Sequence, residues 1–178
     1  MPTIDGRLVT LRAATKADFL ALEPIYATIR DVAYITCPAP RPDHVEKVAE
    51  VLWTPLGEMT PTSSVHFAII DKADGKFCGM MDIYNIDAHH RSCEIGIVLL
   101  PDARGRGIGF DSLSQGIRYC FFTRGFHRVT METRDDNDSM QAVARKLGFR
   151  LEATYRESRW FEGGYVGTLG YALLDREL

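Results

Sequence analysis

The stretch EIGIVLLPDARGRGIG, Glu94 to Gly109, decides the fold. Its first half belongs to an apolar, β-branched run from Cys93 to Leu100, ended by Pro101, and this predicts a buried strand. The second half is a turn rich in glycine and arginine that runs directly into an amphipathic helix predicted over Gly107 to Arg124. The first N–H groups of a helix lack internal partners, and the helix dipole places partial positive charge there. Glycines let those N–H groups close on phosphate oxygens, and Arg104 and Arg106 add charge and bidentate donors. The turn is therefore a candidate diphosphate site. The same residues also suit a plain surface turn, with glycines for geometry and arginines for solubility.

The spacing excludes two familiar phosphate loops. The third glycine comes one residue too early for G-x-G-x-x-G, and no Gly-Lys-Ser/Thr follows for a P-loop. What fits is [Gln/Arg]-x-x-Gly-x-[Gly/Ala], met by Arg104, Gly107 and Gly109.

Working outward, Phe110, Leu113, Ile117, Cys120 and Phe121 form the buried stripe of the helix, and Gly125 stops it. Val129 to Thr133 is a predicted strand. Asn137 is placed to cap a helix with the stripe Met140, Val143, Ala144 and Leu147, closed by Gly148. Two last strands, Phe149 to Tyr155 and Tyr165 to Leu174, flank a turn at Gly163-Gly164. Before the central stretch, Val65 to Ile70 and Phe77 to Tyr84 are strand-like and joined by KADG, Lys72 to Gly75. Arg7 to Arg12 predicts a first strand. Thr15 and Asp18 form a capping-box pattern ahead of Phe19, Leu22, Ile25, Tyr26 and Ile29, although Pro24 should break or kink that helix. A short helix fits Asp43 to Trp53, after the proline-rich loop Cys37 to Pro42. Strands alternate with helices only in the middle, so the expected class is α/β (α+β) with a mixed sheet.

The chain has 178 residues, 46% hydrophobic and 25% charged, which suits a single domain over 1–178 with its own core. Lys and Arg number 21 against 24 Asp and Glu, a net charge of -3 that argues against a nucleic-acid partner. The four cysteines, Cys37, Cys78, Cys93 and Cys120, have irregular spacing and read as reduced thiols. No apolar leader or bilayer-length segment is present, so the expected compartment is the cytoplasm, with no membrane partner. Asp87, His89, His90 and Cys93 match no common zinc spacing, and no metal is expected.

Asn137 and Lys146-Leu147-Gly148-Phe149 follow the glycine turn by about thirty residues or more. With LVTLRAATKADF (Leu8 to Phe19) and FAIIDKADGKFCGMMDIYNID (Phe67 to Asp87), they make the sequence resemble the GNAT superfamily of acyl-CoA-dependent N-acetyltransferases. Within it, the resemblance is to the branch of Rim-type ribosomal-protein and spermidine acetyltransferases. The resemblance implies a mostly antiparallel sheet of about seven strands flanked by helices. It implies acetyl-CoA as co-substrate, a primary amine as acceptor, and homodimers as a plausible assembly. Backbone groups of Ile97, Val98 and Leu99 would pair with pantetheine. Arg104, Gly105, Arg106, Gly107, Ile108 and Gly109 would hold the pyrophosphate. Asn137 would contact the CoA arm, a role compatible with a plain N-cap.

Glu94 matches the position of a carboxylate base in this branch. Its other reading is a strand-end Glu paired with Arg91. The expected acid is missing: Ala144 stands where many relatives have Tyr, and Met140 where others have Ser or Ala. Tyr155 and Tyr171 are substitutes on offer. That gap keeps open a non-catalytic acyl-CoA-binding or sensing domain.

Overall fold

The computed structural model describes residues 3–27, 32, 46, 49, 50, 60 and 62–178. The Cys37 to Pro42 loop and most of the helix expected over Asp43 to Trp53 lie outside the described residues; Glu46, Ala49 and Glu50 are helical. The strands are β1 (Thr3–Asp5), β2 (Val9–Ala13), β3 (Val65–Asp71), β4 (Phe77–Asp87), β5 (Ser92–Leu99), β6 (Arg128–Arg134), β7 (Arg150–Phe161) and β8 (Gly164–Leu174). The principal helices are α1 (Lys16–Leu20), α2 (Glu23–Tyr26), α3 (Ile108–Arg118) and α4 (Asp138–Lys146).

Among the described residues the strands form one sheet of eight in the order β1-β2-β3-β4-β5-β6-β8-β7. Every neighbouring pair is antiparallel except β5 and β6, which are parallel. That parallel step needs a crossover, and α3 supplies it. The mixed, mostly antiparallel sheet agrees with expectation, with one strand more than about seven. The extra strand, β1, is only three residues long, too short to show a period of two. It is held from a distance: the buried Asp111 of α3 accepts from Leu8 N (2.6 Å) and Val9 N (3.1 Å), just past the β1–β2 turn.

Two other expectations are corrected. The helix predicted to reach Arg124 stays α-helical only to Arg118 and then widens into a π turn over Tyr119–Thr123. The wider turn keeps both Cys120 and Phe121 buried. The strand expected to end at Tyr155 runs on to Phe161, because β7 is an edge strand whose mostly exposed charged residues need no apolar alternation. Pro24 does interrupt the first helix. The chain restarts as α2 with Pro24 in its first turn, where its missing N–H would have no partner. Asp18 accepts from Thr15 N and Thr15 Oγ1 (both 2.7 Å), the capping arrangement expected.

The sheet divides the core in two. One cluster packs α3 against the sheet through Leu113, Ile117, Met81, Ile95 and Met131. Gly116 permits that approach, since a Cβ there would lie 2.5 Å from the Met81 sulfur. The second cluster joins Phe19, Leu22 and Ile25 of the α1–α2 region to Met80 on the opposite face of the sheet. Side chains alternate between these faces, so β5 sends Ile95 to α3 and Val98 towards α1–α2.

Candidate active site

The site begins with a break in the sheet. β5 pairs with β4 from Ser92 to Leu99, but with β6 only at Ser92↔Arg128, Cys93↔Val129 and Glu94↔Thr130. From Ile95 to Leu99 the β6-facing edge has no strand partner among the described residues. Backbone direction follows the two-residue period. Leu100 N donates to Cys78 O on the β4 side (2.9 Å), and the Val98 carbonyl faces Gly79, where a Cβ would lie 2.1 Å from it. Cys93 O instead accepts from Thr130 Oγ1 on β6 (3.2 Å), and Leu99 O accepts from Arg104 Nε (3.1 Å). Ile95, Ile97 and Leu99 therefore turn their backbone groups into the gap. Val98 does not, and in this respect it differs from the two residues with which it was grouped.

At the far end of the open edge lies the glycine turn. A 3-10 turn over Pro101–Ala103 leads to extended Arg104, then Gly105 at φ 73° and Gly107 at φ 81°. Both lie in the left-handed region that favours glycine. Gly107 is the N-cap of α3, and no side chain caps the helix there. A Cβ on Gly105 would meet nothing within 4 Å. Exposed helix-start amides beside open space are an anion cradle, so the residues present fit a diphosphate. The two arginines differ. Arg106 is tied to the buried Asp71 at the end of β3 (2.6 Å), while Arg104 reaches back along the open edge to Leu99.

At the near end of the open edge sits Glu94, the last residue of β5 paired with β6. Both carboxylate oxygens are engaged: Tyr84 Oη donates to Oε1 (2.8 Å) and Asn85 Nδ2 donates to Oε2 (2.9 Å). The expected alternative partner, Arg91, is elsewhere, donating through Nε to Gly125 O (2.8 Å). Next to Tyr84 and Glu94 in the β4–β5 register come Asp82 and Gly96. Asp82 accepts from or pairs with His66 Nδ1 (2.7 Å) on β3. Burial raises the pKa of Tyr26 on α2, and the charge of Asp82 raises it further. His66, Asp82, Tyr84 and Glu94 thus form a polar row on the face that α1 and α2 approach.

Asn137 begins α4 just beyond β6, and its Oδ1 accepts from Met140 N (3.1 Å), so its N-cap role is observed. Lys146 of α4 lies over the Phe110 ring of α3 (4.3 Å), linking the two helices. Ala144 is fully buried in the core and Met140 packs against it, so α4 presents no acid at either position. Tyr171 is buried and Tyr155 is half-exposed on β7, and neither meets Glu94. Tyr84 went unremarked in the sequence because its meeting with Glu94 depends on hairpin register. Asp87, His89, His90 and Cys93 are not brought together as ligands: Asp87 accepts from His90 N (2.8 Å), and Cys93 is buried against Cys120 (3.8 Å).

The molecule is thus an α/β domain with a mixed sheet opened along one strand, a glycine turn and helix start at one end of the opening and a held carboxylate at the other. Residues 8–150 match the family model described as the acetyltransferase (GNAT) domain, and the chain belongs to that family. It is 31% identical over 104 residues to "Putative ribosomal N-acetyltransferase YdaF" of Bacillus subtilis, covering 58% of this chain. It is 23% identical over 106 residues to the spermidine N(1)-acetyltransferase of Escherichia coli, covering 60% of this chain. The matches span 57% of the length of each of these curated relatives. The solved spermidine N-acetyltransferase of Vibrio cholerae, in complex with CoA and spermine, superposes with a TM-score of 0.80 at 19% identity, covering 96% of this chain and 97% of that one. At that identity the likeness establishes the fold.

Proposed function

We propose that this chain transfers the acetyl group of acetyl-CoA to a primary amine by direct attack. The observation that carries the reading is the edge of β5 that has no strand partner among the described residues, bounded by the glycine turn at one end and Glu94 at the other. Backbone groups of Ile97 and Leu99 pair with the pantetheine arm as a substitute strand, and Val98 supports them from the β4 side. The amides of Gly105 to Gly109, with Arg104, hold the pyrophosphate. Arg106 shapes the turn through Asp71. Asn137 flanks the arm while capping α4.

The acceptor must attack as a neutral amine, so its proton has to leave. Glu94 takes it, directly or through water. The amine nitrogen forms a bond to the thioester carbon, strand N–H groups stabilise the oxyanion, the nitrogen releases its second proton to solvent, and the carbonyl re-forms as the C–S bond breaks. With Ala144 and Met140 at the two α4 positions, the departing thiolate draws its proton from solvent. Relatives named for acetyl transfer support a catalytic role over the sensing alternative.

Asp82 and Glu94 on one face favour a cationic acceptor with more than one nitrogen, in line with the spermidine enzymes among the relatives. A protein N-terminus or lysine is the second class, favoured by the ribosomal name of the more identical relative. The reading includes one cytoplasmic domain with reduced Cys78, Cys93 and Cys120, and a homodimer is the assembly that the family resemblance implies. Among the described residues no helix is long and apolar enough to cross a membrane.

Thiol release from acetyl-CoA over a panel of polyamines, amino acids, aminoglycosides and N-terminal peptides tests the proposal. Turnover with a polyamine is expected. Tight acetyl-CoA binding without turnover across the panel would return the sensing alternative.

A further inference from the structure

The strand β4 departs from regular geometry next to Glu94. Its register with β5 shifts between Tyr84 and Asp87, and Asn85 takes φ 48°, a left-handed conformation unusual for a side-chain-bearing residue. In a regular strand Asn85 would point to the face opposite Tyr84. The bulge turns it back, so that Tyr84 and Asn85, adjacent in sequence, both donate to the same carboxylate, one to each oxygen. Bulges beside functional sites commonly re-aim a side chain in this way, and such strain persists only where the surroundings enforce it. Gly96 completes the arrangement. A Cβ there would press to 3.2 Å of the Tyr84 ring, which glycine leaves free to lean across the strand.

We infer that Tyr84 and Asn85 are positioning residues that hold Glu94 in one orientation at the apex of the β5–β6 gap, leaving its remaining lone pairs to receive the acceptor's proton. The inference rests on the base role proposed for Glu94. A carboxylate on a flexible stem samples several rotamers, and only some can reach the attacking nitrogen. Two donors fix both oxygens without neutralising the charge, which a partner such as Arg91 would do.

The test is steady-state kinetics on full-length Tyr84→Phe, Asn85→Gly, the double variant and Glu94→Gln, with the acceptor that turns over best. Glycine tolerates the left-handed backbone of Asn85, so Asn85→Gly removes the amide without adding strain. Each single variant should lose roughly tenfold in kcat, with the KM for acetyl-CoA within about twofold, as expected for a lost charge-assisted hydrogen bond that acts only on the chemical step. The double variant should approach the level of Glu94→Gln. Unchanged kcat in both singles and the double, with Glu94→Gln inactive, would overturn the positioning role and leave the base role standing. A raised KM for acetyl-CoA at unchanged kcat would overturn it equally. Full turnover by Glu94→Gln would remove the base assignment, and the positioning role with it.

Discussion

The two edges of β5 are made of the same eight residues and do different work. Towards β4, pairing runs from Ser92 to Leu99, and Gly79 allows the Val98 carbonyl to approach its neighbour closely. Towards β6, pairing stops at Glu94, and the backbone groups of Ile95, Ile97 and Leu99 are released from the sheet. Ile97 and Leu99 are only partly buried, the Leu99 carbonyl accepts from Arg104 Nε, and this edge has no strand partner among the described residues. The paired edge supplies stability, and the proposed site lies along the open one. Because the period of a strand is two, the edges can be altered separately by choosing even or odd residues.

The largest effect should come from proline on the paired edge. Val98→Pro removes an N–H directed at β4 and leaves a β4 carbonyl unsatisfied, which should destabilise the protein by up to about 3 kcal/mol, read by urea denaturation. Ile97→Pro removes one directed into the gap. It should destabilise clearly less, as prolines do on strand edges, while weakening acetyl-CoA binding. Equal losses of stability would break the distinction between the edges. Asp111→Ala sharpens it from the side of the scaffold. Leaving Leu8 N and Val9 N buried without an acceptor should lower stability by about 2 kcal/mol, and acetyl-CoA affinity at a temperature where the protein stays folded should barely move.

The smallest effect lies furthest from the gap. Burial works to raise the pKa of Asp18, but the hydrogen bonds from Arg12 and Thr15 outweigh it, and the folded pKa lies below the ordinary 3.8. Its stabilisation is therefore complete above the ordinary value and fades as pH falls through the folded one. Asp18→Asn should lower Tm modestly at neutral pH, with the deficit closing below about pH 4. A deficit that persisted undiminished at pH 2.5 would show that the carboxylate charge contributes nothing there.

What was legible in the sequence follows the same division. The strand, the glycine turn, the α3 stripe and the Asn137 cap are local patterns, and each lies where periodicity and capping rules put it. The open edge was not a local pattern: free backbone groups on this strand were implied by the family resemblance alone. No residue of β5 announces that β6 diverges after Thr130, and the grouping of Val98 with Ile97 and Leu99 overlooked the alternation that sends its backbone to β4. Tyr84 and Asn85 were missed for a related reason. They meet Glu94 only because the hairpin register and the bulge at Asn85 bring them opposite it. β1 and the outer half of β7 lack the apolar alternation that marks a strand, since one is too short and the other lies on an exposed edge.

The proposed role of the glycine turn at the head of α3 is to hold the diphosphate of acetyl-CoA. Isothermal calorimetry on the full chain, Gly107→Ala and Gly107→Glu tests it most directly. Both substitutions place a side chain at φ 81°, so they share the backbone strain, and only Glu adds bulk and negative charge at the helix start. We expect saturable one-to-one binding by the parent chain, a loss of no more than roughly tenfold in Gly107→Ala, and no measurable binding in a folded Gly107→Glu, the expected result of setting a carboxylate against a diphosphate. Undiminished affinity in folded Gly107→Glu, or no binding by the folded parent chain, would contradict it.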